Sequence, residues 1–166
     1  MGIGSGRAMK NPGVHFSSDR LDWETPHELF QKLDSVFGFD VDLCADTRNS
    51  KCEKFYSVYN SAFDNLPWRS ESNWMNPPYG RGIGAWIEGA SVSNCVCLLP
   101  ARVETKWFQT VWEKASAVCF IRGRLKFVGA KSCAPFPSCI AVFGHDITGV
   151  RKAVLESIGY TVRWGL

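Results

Sequence analysis

The sequence predicts an α/β fold, a sheet sandwiched between helices, and three observations carry that expectation. Strand-like apolar runs alternate with helix-like patterns along most of the 166 residues. Three runs, Cys95 to Leu99, Ala117 to Ile121 and Cys139 to Phe143, are continuously apolar, the pattern of strands buried on both faces. The stretches between them repeat apolar residues at three- and four-residue spacing.

Taken in order, Thr25-Pro26-His27-Glu28 reads as a helix start, with Thr25 as cap, Pro26 in the first helical position and Glu28 closing the capping box. Leu29, Phe30, Leu33, Val36 and Phe37 share one face, and Gly38 supplies a left-handed stop. Phe39 to Leu43 alternates like a strand and leads into a polar loop, Ala45 to Lys51. Lys54 to Val58 makes a short second strand. Asn73 to Asn76 makes a third, stopped by Pro77 and Pro78, which have no N–H for a ladder. Ile83 to Val92 is a helix, and Thr105 to Ala115 is another, carrying Trp107, Phe108, Val111 and Trp112. A final helix sets Ile147, Val150, Val154, Leu155 and Ile158 on one face with Gly159 beyond it, and Tyr160 to Trp164 closes the chain as a strand. Ligands on such sheets bind beyond the carboxyl ends of the strands, so the polar residues there carry the functional argument.

Composition narrows the class. With 45% hydrophobic and 21% charged residues, the chain can bury one core and is too balanced for long disorder. No uninterrupted apolar run reaches the roughly 18 residues of a transmembrane helix. Residues 1–21 are rich in Gly and Ser and read as a flexible lead-in, leaving 22–166 as a single domain. Seven cysteines without an export signal point to a cytoplasmic protein. The net charge is only +3, yet Asp19 to Glu71 holds 11 acids against 6 bases, and Ala101 to Lys131 holds 7 bases against 2 acids. That asymmetry suits a cationic cofactor and a polyanionic partner.

The chemistry concentrates in Asn76-Pro77-Pro78-Tyr79, which follows a predicted strand and precedes a glycine-rich turn. Two prolines hold an extended bend with no spare N–H groups. The bend offers the Asn76 side-chain oxygen and the Pro77 carbonyl as two fixed acceptors. A planar exocyclic amine has two N–H donors and a delocalised lone pair. Two acceptors that hold both hydrogens favour pyramidal nitrogen and free that pair for attack. Tyr79 supplies an aromatic face for the ring that bears the amine.

From about Asp22 to Trp164 the sequence resembles the short phage and prophage DNA N6-adenine methyltransferases, a branch of the S-adenosylmethionine (SAM) dependent enzymes. The resemblance rests on Asp22-Trp23-Glu24-Thr25-Pro26, Asp42-Leu43-Cys44-Ala45, Asn76-Pro77-Pro78-Tyr79-Gly80, Leu99-Pro100-Ala101-Arg102, Thr105-Lys106-Trp107-Phe108, Arg122-Gly123-Arg124-Leu125-Lys126-Phe127 and Ala134-Pro135-Phe136-Pro137-Ser138. It implies a Rossmann-like methyltransferase fold, a central and mostly parallel seven-stranded sheet with helices on both faces. It also implies SAM as cofactor, and as substrate an adenine flipped from double-stranded DNA in a bacterial host cell.

The resemblance assigns roles residue by residue. Asn76, Pro77, Pro78 and Tyr79 match the target-base pocket. Thr25 and Pro26 match an element near the methionine end of SAM, with Trp23 lining the same site. Asp42 and Ala45 match the loop that faces the positive end of the cofactor, and Asp64 matches the acid that accepts from its adenine. Arg81, Arg102, Lys106, Arg122, Arg124 and Lys126 would face DNA phosphates. Where larger methyltransferases carry a glycine-rich loop this chain has Asp46-Thr47-Arg48-Asn49, and no acid ends the second strand for the ribose; Asn49 and Glu53 are the polar residues nearby. Alternative acceptors for the same motif are a protein glutamine amide or an RNA amine, and a non-catalytic DNA-binding relative is a third reading. A sheet of this size uses nearly the whole length, so target sequence would be read by short loops or by a second subunit of a homo-oligomer, and the target would be short or permissive.

Other motifs in the chain carry less. Gly80-Arg81-Gly82-Ile83-Gly84-Ala85 fits a dinucleotide fingerprint in form, but Pro77-Pro78-Tyr79 separates it from the strand, and the glycines read better as a loop admitting the base. Cys95 and Cys97 share one strand face and read as buried small hydrophobes, with no metal site expected. His15, His27 and His145 form no ligand or triad spacing and are expected at the surface. No Pro-Cys dipeptide occurs, which excludes cytosine-C5 chemistry.

Overall fold

The computed structural model describes residues 23–163. Helix α1 (His27–Phe37) precedes strands β1 (Val41–Asp42) and β2 (Lys54–Phe55), a 3-10 turn (Ala62–Asn65) and β3 (Asn73–Met75). Then come α2 (Ile83–Ser91), β4 (Cys95–Pro100), α3 (Lys106–Lys114), β5 (Ala117–Ile121), β6 (Ser138–Phe143), α4 (Gly149–Ile158) and β7 (Gly159–Arg163). The strands form one seven-stranded sheet in the order β2-β1-β3-β4-β6-β5-β7. β2, β1, β3 and β4 pair in parallel, while β6 is antiparallel to β4 and β5, and β7 to β5. Strands β1 to β5 therefore all point one way, and only β6 and β7 oppose them.

Period-two alternation sends the central strands into two cores. On one face Cys95, Cys97 and Leu99 of β4 pack with Ile83 and Ile87 of α2 and Phe108 and Val111 of α3. On the other, Val96 and Leu98 pack with Leu33 and Phe37 of α1 and Leu155 of α4. Helices thus cover both faces, as expected. Cys95 and Cys97 do share a face, with their sulfurs 3.6 Å apart. The chain leaves β1 outward to β2 and returns to β3 on the other side of β1. The crevice beyond the carboxyl ends of β1 and β3 is therefore a switch point, where open α/β sheets bind ligands.

Four local expectations need correction. Thr25 does not cap α1: the helix starts at His27 with Pro26 in the cap position, and no side chain caps it. Its hydroxyl accepts a hydrogen bond from Asn76 instead. The expected strands at Phe39 to Leu43 and Lys54 to Val58 shorten to two paired residues each. Val150 is 70% exposed, because α4 begins at Gly149 and turns Leu155 to the sheet. His145 is buried rather than superficial. The lead-in 1–21, His15 and Trp164 lie outside the described residues.

His145 follows β6, with Nε2 3.3 Å from the Ser72 hydroxyl and its ring edge-on to Phe37. Burial, and then the Arg151 charge, move its pKa from the usual 6.5 down to about 4. The folded protein holds this imidazole neutral while the unfolded chain protonates it. Stability is therefore intact above about pH 6.5 and falls as pH drops towards 4. The partial burial limits the loss to about 1–2 kcal/mol. Urea unfolding of His145→Gln at pH 7 and pH 4.5 should show that component removed. An unchanged pH dependence would contradict it.

Candidate active site

At the end of β1, Asp42 is 3% exposed. Its two carboxylate oxygens accept from the backbone N–H of Cys44 at 3.2 Å and of Lys51 at 3.0 Å. Burial pushes its pKa up, opposed by those two N–H groups and the Lys51 charge. Asp42 thereby ties both ends of the 43–51 loop to the strand. Within the loop, Asp46 accepts from the Arg48 and Asn49 N–H groups, and Asn49 returns the bond to the Asp46 N–H at 2.7 Å. The Arg48 side chain holds the Asp46 carboxyl below its usual pKa. The Ala45 N–H donates to the Tyr56 carbonyl and continues the pairing. Lys51 then reaches Glu24 at 2.8 Å and joins the loop to the segment before α1. Burial pushes the Cys44 and Cys52 thiols up to about 12, so neither is a nucleophile near neutral pH.

Asn76 follows β3 on the other side of the crevice. Its amide nitrogen donates to the Trp23 carbonyl and, at 3.1 Å, to the Thr25 hydroxyl. A carbonyl only accepts, so the amide can face Trp23 in one orientation alone. That orientation leaves Oδ1 buried and without a partner among the described residues. No group among those residues donates to the Pro77 carbonyl either. Tyr79 donates to the Leu98 carbonyl at 3.3 Å, and burial raises its pKa well above 10, so the phenol stays neutral. Its ring lies 6.4 and 5.7 Å from Phe127 and Phe136, which are themselves 5.1 Å from the Trp23 ring.

The sequence reading missed this aromatic wall. Phe127 and Phe136 sit in the long β5–β6 connection, where no periodicity marks them, although both fall within segments that carry the family resemblance. It also missed the Glu24–Lys51 pair, whose partners are 27 residues apart.

The basic residues leave the same edge of the sheet. Arg81 lies between β3 and α2, Arg102 follows β4, Lys106 opens α3, and Arg124 and Lys126 follow β5. All five are exposed. Arg122 differs: its guanidinium donates to the Glu156 and Ser157 carbonyls at the end of α4 and lies over the Tyr160 ring. That anchoring suits a helix carboxyl terminus. Asp64, in the 3-10 turn, is exposed. Two open depressions of about 470 and 440 Å³ lie elsewhere, one bordered by Trp68, Asn94 and Gly144 and one beside Gly89 of α2, and neither touches Asn76. No helix among the described residues is long and apolar enough to cross a membrane, and none of their His, Cys, Asp and Glu side chains cluster to hold a metal.

An Asn-Pro-Pro-Tyr turn thus meets a Trp-Glu-Thr-Pro segment across the crevice. The profile of the family described as DNA N-6-adenine-methyltransferase (Dam) matches residues 15–141. The chain belongs to this family. A relative, the DNA N-6-adenine-methyltransferase of Escherichia phage T1, is 32% identical over 108 residues, which make up 62% of this chain and 45% of the relative. The match thus spans less than half the length of that relative. In this Dam-family chain the family match runs from before α1 into β6 and contains every residue of the crevice named above, leaving α4 and β7 outside it.

Proposed function

We propose that the chain is a SAM-dependent methyltransferase that acts on the exocyclic N6 of adenine in DNA, on a Rossmann-like methyltransferase sheet. The observation that carries this reading is the orientation of Asn76, whose nitrogen is spent on Trp23 and Thr25 and whose oxygen is left without a donor. An acceptor so placed, beside the Pro77 carbonyl, is matched to the two hydrogens of an aromatic amine. Tyr79 would stack on the base, which enters at a cost of a few kcal/mol (~) for leaving the duplex. Arg81, Arg102, Lys106, Arg124 and Lys126 would neutralise phosphates at the same edge, with Arg122 bracing the loop that carries two of them.

The residues present fit the proposed cofactor. No side chain caps α1, so its first N–H groups suit a carboxylate at the Thr25-Pro26 turn. Asp42 holds the Ala45 to Asn49 loop in place at the end of β1, and Asp64 suits an adenine amine. When bound, SAM would supply an electrophilic methyl on sulfur; the amine would take that methyl, the S–C bonding pair would stay with sulfur, and the nitrogen would release one proton to solvent. The chain's own part is to hold the amine in line with that bond and to accept its hydrogens, which is catalysis by positioning and electrostatics.

Purified protein, methyl-labelled SAM and double-stranded DNA should yield labelled N6-methyladenine on digestion. Label in protein glutamine or in RNA, with DNA unmodified, would redirect the acceptor. No SAM binding by calorimetry would leave a non-catalytic DNA-binding relative. Within that assay, Asp64→Ala should weaken SAM binding roughly tenfold. Unchanged affinity would remove Asp64 from the cofactor site.

A further inference from the structure

A second polar atom of the crevice is also unspent. The indole N–H of Trp23 is buried and has no hydrogen-bond partner among the described residues. Buried donors are rarely left so, and a ligand is one of the few reasons for it. Trp23 is tied to Asn76 through its own carbonyl. Its ring rests 5.1 Å from both Phe127 and Phe136, the two rings that also contact Tyr79. One unsatisfied donor and one unsatisfied acceptor therefore sit on two residues joined by a hydrogen bond, with Trp23 on the same aromatic wall as Tyr79.

Resting on the adenine reading above, we propose that Trp23 is a specificity-determining residue whose indole N–H donates to N1 of the flipped adenine, beside the amine held by Asn76. The Watson–Crick edge of adenine carries an N–H donor at N6 next to an acceptor at N1, the complement of this pair. Guanine and thymine present the reverse order, a carbonyl beside an N–H, and would leave both protein groups facing like groups; cytosine shares the order of adenine, so the pair selects amino bases against oxo bases. This assigns Trp23 to the base, whereas the family resemblance sets it beside the cofactor.

The test uses Trp23→Phe, which keeps an aromatic ring against Phe127 and Phe136 and removes the donor together with part of the indole; the 1-deazaadenine arm separates the donor from the lost volume. Wild type and variant are assayed with SAM on duplexes whose target base is adenine, 1-deazaadenine or 7-deazaadenine. On adenine the variant should lose roughly 10- to 100-fold in kcat/KM, with SAM affinity within twofold. Wild type should lose as much on 1-deazaadenine, the variant should lose nothing further there, and 7-deazaadenine should serve both as well as adenine. Full turnover by the variant, a defect confined to SAM binding, or losses from variant and analogue that multiply would each overturn the assignment. The wild-type and 1-deazaadenine arm needs no variant to fold. A wild type inert on every adenine duplex would overturn the adenine reading itself, a result distinct from all of these.

Discussion

Asn76→Ala is expected to slow methyl transfer by about 10²–10³-fold while SAM affinity stays within a few-fold. The expectation follows from how the side chain is divided. Its nitrogen serves the protein, on the Trp23 carbonyl and the Thr25 hydroxyl, and its oxygen serves nothing within the described residues. Alanine removes the acceptor for the substrate amine together with the ties to the Trp23 carbonyl and the Thr25 hydroxyl, and leaves the Asp42 loop and the uncapped N–H groups of α1 in place. Binding of the methyl donor and activation of the amine should thus separate in one variant. Asn76→Asp sharpens the test, since it keeps an acceptor but sets a carboxylate oxygen against the Trp23 carbonyl. It should recover only part of the loss. Single-turnover transfer of labelled methyl to DNA measures both, alongside calorimetry with SAM. Full turnover by Asn76→Ala would sink the proposed mechanism.

Much of the frame was legible because burial leaves a direct mark on sequence. The continuous apolar runs of β4, β5 and β6 set those strands to within a residue, and Pro77 and Pro78 located the functional turn. What escaped was decided by distant partners. Thr25 satisfies every local rule for a cap, yet its hydroxyl goes to Asn76, 51 positions away. The family resemblance sets Asp42 facing a cofactor, and only the structure shows the 43–51 loop folded back over it, with both carboxylate oxygens on loop N–H groups. Arg122 looks like its basic neighbours, and only the arrival of α4 beside β5 takes it from them. Phe127 and Phe136 lie where the chain has no period to read, so their role emerges only once Trp23 and Tyr79 are placed against them.

Gly159→Ala should cost about 4 kcal/mol or more and take activity down with the folded fraction. The cause is space. Gly159 opens β7 opposite Ile121 of β5, and a Cβ there would stand 2.0 Å from the Phe120 carbonyl oxygen and 2.6 Å from its carbon. Both are backbone atoms of a buried strand, so no side-chain rotation can relieve the clash. The backbone at Gly159 is extended, with φ at −167°, and any residue could adopt it. Gly38 is the contrast, since it also follows a helix and looks the same in sequence. It has φ at +60° and nothing within 4 Å of a Cβ, so Gly38→Ala should cost only about 1–2 kcal/mol from its left-handed backbone. Urea denaturation of the two variants separates a glycine kept for its dihedral from one kept for its neighbour. Equal losses would contradict the close pairing of β7 on β5. That pairing matters to the site because the connection leaving β5 carries Phe127, and β7 with α4 is what holds the start of that connection in place through Arg122.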